Sequence, residues 1–143
     1  MSRAANKVFL SYDRADRDPA RKIAEQLREA GLTVWDPEQE LLPGADWNTA
    51  LRKALETSEA LVVLLSPDAM QSRSVSHEIE YALGARHLRG RLIPVLLRAT
   101  RQVPWILRDL QMIRYEDPVK TGQHIVELLK APIDEPQAKR RPN

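Results

Sequence analysis

The chain has 143 residues, the size of one domain, and its 43% hydrophobic and 29% charged residues exclude a disordered polypeptide. It contains no cysteine, which excludes disulfides, thiolate metal sites and cysteine nucleophiles and makes a reducing compartment its expected home. A formal net charge of +2 gives no global argument for nucleic acid or an anionic membrane, and the longest apolar runs, 60–65 and 92–97, are far too short to span a bilayer.

At the N-terminus only a five-residue, largely apolar stretch precedes the first acids, too short for a signal peptide, so a cytoplasmic protein is expected. Residues 8–12 (VFLSY) read as a first strand. Asp18-Pro19 then reads as an N-cap with proline in the first turn, and Ala20, Ile23, Ala24, Leu27 and Ala30 follow helical spacing until Gly31 closes the helix. A second strand is expected at 32–36 (LTVWD). Asp46 then caps a helix with Trp47, Ala50, Leu51, Ala54 and Leu55 on one face. Residues 60–66 (ALVVLLS) give a third strand. A helix beginning near Ser74 turns Val75, Ile79, Ala82 and Leu83 inward. Strands at 91–97 (RLIPVLL) and 110–115 (LQMIRY) follow, with a loop or short helix around Pro104 between them, and a last helix carries Ile125, Val126 and Leu129.

Strand–helix alternation repeated five times predicts an α/β fold: a five-stranded parallel sheet in a flavodoxin-like three-layer sandwich, strand order 2-1-3-4-5. Residues 1–131 form the single domain, and 132–143 read as a disordered polar tail. Phosphate-cradling glycine motifs are absent. A phosphoacceptor receiver domain is excluded because the third strand ends Leu65-Ser66-Pro67, without its aspartate, and the fifth is followed by Glu116-Asp117-Pro118 rather than a lysine. His77, His87 and His124 are scattered without ligand spacing, so no metal site is expected.

In this topology ligands bind where strand order reverses, between the first and third strands. Residues 11–16 and 66–78 reach that crevice. Within it Glu78 falls about 40–60° from the centre of the Val75–Ile79–Ala82 face at ~100° per residue, whereas Glu80 lies on the solvent side. A glutamate in a helix's first turn beside a buried stripe is partly desolvated and helped by the helix N-terminus. It reads either as a functional carboxylate or as a residue that merely complements the helix dipole.

From about Lys7 to Leu129 the sequence resembles a Toll/interleukin-1 receptor (TIR) domain of bacterial type. VFLSYDRAD is similar to the family's first-strand motif, with Phe9, Ser11 and Tyr12 in place and Asp16 at an acidic loop position. VWDPEQELLPGADW resembles the second strand and the loop after it, including Pro43 and Gly44. ALVVLLSPDAMQS resembles the third strand and its exit, and SVSHEIEYAL the helix that carries the family's glutamate. Many bacterial TIR domains hydrolyse NAD+ at the nicotinamide–ribose bond, some cyclising the ADP-ribose, while others serve as adaptors through homotypic TIR–TIR binding. The resemblance therefore implies an NAD+ nucleosidase with Glu78 as its catalytic residue, NAD+ as substrate rather than cofactor, and activation by self-assembly in innate immune or antiviral defence, with an upstream activator or downstream effector as partner. It implies substrate contacts at Phe9, Ser11, Tyr12, Arg14, Trp35, Asp36, Gly44 and Ser74. It also implies assembly contacts at Leu41, Leu42, Pro43 and Gly44. The sequence departs from the family at Ser74, where a tryptophan normally stands four residues before the glutamate. Serine there builds no aromatic wall, so Trp35 and Trp47 are the candidates to supply one.

Several residues keep two readings. Arg14 reads as a bidentate partner for a pyrophosphate or as a surface arginine, and Asp36 as a site residue or as the cap of the turn before Pro37. Trp47 reads foremost as a packing residue. Leu41 and Leu42 are covered either by a second protomer or by their own domain. Six arginines between 84 and 108, with no acid among them, suggest one positive face or edge, either solvated or docked on an acidic neighbour. Nucleic-acid binding is disfavoured because the only interleaved aromatic, Trp105, is expected to pack beside Pro104.

Overall fold

The computed structural model describes residues 5–40 and 46–130. Five parallel strands, β1 (Lys7–Ser11), β2 (Thr33–Trp35), β3 (Ala60–Leu65), β4 (Leu92–Leu96) and β5 (Ile113–Arg114), form one sheet in the order β2-β1-β3-β4-β5. The helices among the described residues are α1 (Arg17–Glu29), α2 (Pro37–Glu40), α3 (Trp47–Thr57), α4 (Pro67–Met70), α5 (Arg73–Gly84), α6 (Trp105–Arg108) and α7 (Pro118–Lys130). The expected α/β topology is thus present, and the strand order reverses between β1 and β3.

All six residues of β3 are buried because helices cover both faces of the sheet, which is why the strand reads as an unbroken apolar run. Side-chain alternation divides the core in two. Val8, Leu10, Val62 and Leu64 pack with α1 and α7. Phe9, Leu61, Val63 and Leu65 pack on the opposite side with α3, α4 and α5. Gly122 lets α7 approach α1 closely, since a Cβ there would meet Gln26 Cβ at 2.6 Å.

Helix starts differ from those expected. Asp13 accepts the Ala15 N–H at 2.9 Å and caps a 3-10 turn, Arg14–Asp16, that runs directly into α1 at Arg17. Pro19 therefore occupies the third helical position, where no intrahelical N–H bond is lost. Gly31, at φ +96, follows the Ala30 C-cap as expected. Ser72, not Ser74, begins α5, its Oγ accepting the Val75 N–H at 3.2 Å, which moves Glu78 into the second turn. The last strand contracts to two residues, because β5 pairs only with β4 and only at Ile113 and Arg114.

The arginines of 84–108 do not form one face. Arg86, Arg89 and the buried Arg91 lie at the entry to β4, and Arg98, Arg101 and Arg108 lie beyond its exit, roughly 20 Å away along the strand. Trp105 does not pack as expected either. Its one-turn helix buries Leu107 and leaves the tryptophan 73% exposed.

Candidate active site

The alternation that places Phe9 on the α5 side of the sheet does the same for Ser11, the last residue of β1. From α5, Val75, Glu78, Ile79 and Ala82 form a buried stripe at positions i, i+3, i+4 and i+7, while Glu80 is exposed. The two elements bring their polar residues together: Ser11 Oγ donates to Glu78 Oε1 at 2.5 Å. Glu78 is only 4% exposed. Burial pushes its carboxyl up to about 7, and the Ser11 hydrogen bond opposes that rise without cancelling it. Help from the helix N-terminus, expected of a first-turn residue, is weak in the second turn because the dipole effect fades within the first.

Trp35 lies on this side of the sheet. It pairs with Phe9 in register across β1 and β2, and the two rings stack at 4.9 Å between centroids and 20° between planes. Trp47, the first residue of α3, is 45% exposed rather than packed. Ser74 is exposed in the first turn of α5. Of the three positions considered for an aromatic wall, Trp35 is the one packed into the cluster that holds the inner face of α5.

Tyr12 and Asp36 belong to the other side. Tyr12 packs against the core under α1, and its hydroxyl donates to Asp36 Oδ1. Burial, and then the Asp36 carboxylate, raise the Tyr12 hydroxyl well above the ordinary phenol range. The buried Asp36 also accepts the Glu38 N–H at 3.0 Å, so it caps α2. Arg14 is exposed, with its Nε 3.5 Å from Glu38 Oε2. Leu41, Leu42, Pro43 and Gly44 lie outside the described residues.

Sequence reasoning missed a second polar cluster at the exits of β1, β3 and β4. Asp16 is buried, accepting from Ser66 Oγ at 2.5 Å and from Arg98 at 2.8 Å. Arg98 also reaches Asp68 at 2.8 Å. Ser66 sits one residue beyond Leu65, so alternation points it to the α1 side, where Asp16 is; that parity was the available signal. Removing the guanidinium leaves a buried carboxylate with only a hydroxyl partner. Arg98→Ala is therefore expected to lower stability by about 1–3 kcal/mol, discounted because Arg98 is half exposed. Urea unfolding measures this, and a change within about 0.5 kcal/mol would show that the cluster holds nothing together.

Surface hollows lie elsewhere. One of about 350 Å³ is lined by Gln26, Glu29, Gly122 and Val126, and one of about 440 Å³ by Pro67, Gln71, Ala99, Thr100, Arg101 and Gln102. Neither touches Glu78, so the candidate site rests on the chemistry of its carboxyl rather than on an open cavity. Among the described residues no group of three or more His, Asp or Glu side chains is arranged to hold a metal ion, and no helix is long and apolar enough to cross a membrane.

The chain is similar in sequence and fold to known proteins. A curated relative, "Stimulator of interferon genes protein" of Magallana gigas, is 29% identical over 132 residues, which is 89% of this chain. The chain spans only about a third of that relative, 32% of its length. The solved structure of a metazoan TIR-STING receptor from C. gigas in complex with 2',3'-cGAMP superposes with a TM-score of 0.74 at 25% identity, over 92% of this chain and 42% of that one. The TIR domain of the Toll-related receptor TRR-2 of Hydra magnipapillata shares the fold, with a TM-score of 0.67 at 22% identity over 76% of this chain and 82% of that one. The family model described as "TIR domain" matches residues 8–129, from within β1 to the last turn of α7. That stretch carries all of the sheet but Lys7, together with Ser11 and Glu78, and the chain belongs to the TIR domain family.

Proposed function

We propose that this domain cleaves the nicotinamide–ribose bond of NAD+, giving nicotinamide and linear or cyclised ADP-ribose, and that self-assembly activates it in cell defence. One observation carries the reading: a glutamate enclosed at the strand-order reversal and held by Ser11, where burial pushes its carboxyl up to about 7. Nicotinamide leaves as a neutral group, so no strong acid is needed. Positive charge develops on the ribose, and a carboxylate in a low-dielectric setting stabilises it far better than water does. Ser11 fixes one oxygen of Glu78 and leaves the other to accept from a ribose hydroxyl. Water then captures the sugar cation, or an atom of the same molecule does so and closes a ring.

Trp35 supplies the apolar wall that Ser74 does not. Trp35→Ala is expected to reduce turnover at least about tenfold by loosening substrate orientation, while Trp47→Ala stays within about twofold. Equal losses in both variants would remove Trp35 from the site.

The exposed Ser74 favours a second reading, a TIR adaptor that binds its own kind without turnover. The complex with 2',3'-cGAMP is that of the C. gigas receptor, of which this chain covers 42%. Incubating concentrated protein with NAD+ and separating the products by chromatography divides the readings. Release of nicotinamide supports the enzyme, and homotypic association with intact NAD+ supports the adaptor.

A further inference from the structure

Two neighbouring residues at the exit of β1 hold two different parts of the molecule. Ser11 bonds Glu78 on the α5 side at 2.5 Å, and Tyr12 bonds Asp36 on the α1 side. Asp36 organises the turn that follows β2. Its carboxylate accepts the Glu38 N–H at 3.0 Å, and its main-chain carbonyl accepts the N–H groups of Gln39 at 3.0 Å and Glu40 at 2.8 Å. Helix α1 clasps the outside of the same turn. Arg28 donates to Gln39 Oε1 at 2.8 Å and lies 3.5 Å from Glu40, and Arg17 lies 3.7 Å from Glu38. These outer pairs are solvent-exposed and individually weak. The inner anchor is different, because Asp36 is 1% exposed and Tyr12 is its side-chain link to β1.

We propose that Tyr12 and Asp36 are a positioning pair rather than substrate contacts: their hydrogen bond fixes the turn at 37–40 to the end of β1 and thereby sets the Ser11 hydroxyl on Glu78. The proposal deepens the NAD+ reading, yet its geometry stands without turnover. A displacement at the turn reaches Asp36, then Tyr12, then the adjacent residue that holds the carboxyl. The pair is thus a physical connection between the turn at 37–40 and the reacting group.

The test is the titration of Glu78 in dilute protein, followed by carboxyl carbon NMR with labelled glutamate. Tyr12→Phe keeps the ring and removes the hydroxyl. Its Glu78 midpoint should rise by at least about 0.3 unit, in the same direction as in Ser11→Ala, because the serine bond that favours the ionised form is loosened. Asp36→Asn still accepts from Tyr12 and should leave the midpoint close to wild type, which separates positioning from a general loss of fold. Where turnover is present, Tyr12→Phe should lower kcat with KM within about twofold, since no substrate contact is lost. An unmoved midpoint in Tyr12→Phe beside a raised one in Ser11→Ala overturns the proposal, as does a rise in KM with kcat unchanged. A raised midpoint in a protein that never releases nicotinamide upholds the positioning pair and removes only the enzymatic reading.

Discussion

Glu78→Gln is expected to lower nicotinamide release at least about a hundredfold and, above pH 7, to make the fold more stable. The activity loss follows from removing the charge that balances the ribosyl cation while keeping the shape. The stability gain follows from linkage. Burial raises the Glu78 carboxyl to about 7 in the folded protein from an ordinary value of 4.5. The folded state therefore holds the proton more tightly than the unfolded one, and ionisation opposes folding. Stability is greatest below the unfolded value, is lost as pH climbs from about 4.5 to about 7, and stays low beyond. A shift of this size corresponds to roughly 3 kcal/mol as an order of magnitude. Glutamine carries no such cost, so urea unfolding should find the variant close to wild type at pH 4 and more stable at pH 8. A variant less stable than wild type at pH 8 would mean that the Ser11 bond outweighs the burial of the charge. Holding a desolvated carboxylate at the expense of stability is the pattern expected of a functional group.

The second large effect is on assembly. Leu42→Asp should abolish both self-association and turnover while Glu78 is untouched. The segment 37–46 contains two adjacent leucines, and burying both against a neighbouring protomer contributes ~3–6 kcal/mol before the costs of association. A carboxylate in that contact reverses the gain, and the self-assembly proposed to activate the domain would not occur. Light scattering and nicotinamide release on the same sample check this. A monomeric variant with normal turnover would show that each protomer completes its own site.

Much of this architecture is legible in the sequence, for identifiable reasons. β1, β3 and β4 read as short apolar runs because helices bury both faces of the sheet. Most of the inward face of α5 follows from 100° per residue, which also put Glu78 beside Val75 and Ile79, but Leu83, expected inward, is 42% exposed in the helix's last turn. Local signals failed where two polar residues competed for one role. Ser72 caps the helix that Ser74 was expected to begin, and α1 starts at Arg17, straight out of a 3-10 turn capped by Asp13 and ahead of the Asp18 expected to cap it, because several serines and aspartates lie close to each helix start. Pairings across long separations were not legible. Ser11 and Glu78 are 67 residues apart, and Arg98 and Asp16 are 82 apart. Side-chain parity tells which face a residue takes, but the partner on that face depends on how far each helix slides along the sheet. Parity does place Tyr12 and Asp36, each one residue beyond Ser11 and Trp35, on the opposite face under α1, but not that they bond each other. Trp105 was misplaced for a related reason: one helical turn buries Leu107 but cannot also bury its neighbour.

The most direct measurement is the pH dependence of kcat/KM for nicotinamide release from NAD+ by assembled protein. The expected profile rises nearly tenfold per unit on the acid side and levels off above about 7, where Glu78 is ionised. Ser11→Ala should move that midpoint upward. The contradicting result is a sample that light scattering shows to be assembled and that releases no nicotinamide at any pH, or a wild-type profile that persists unchanged in Glu78→Gln.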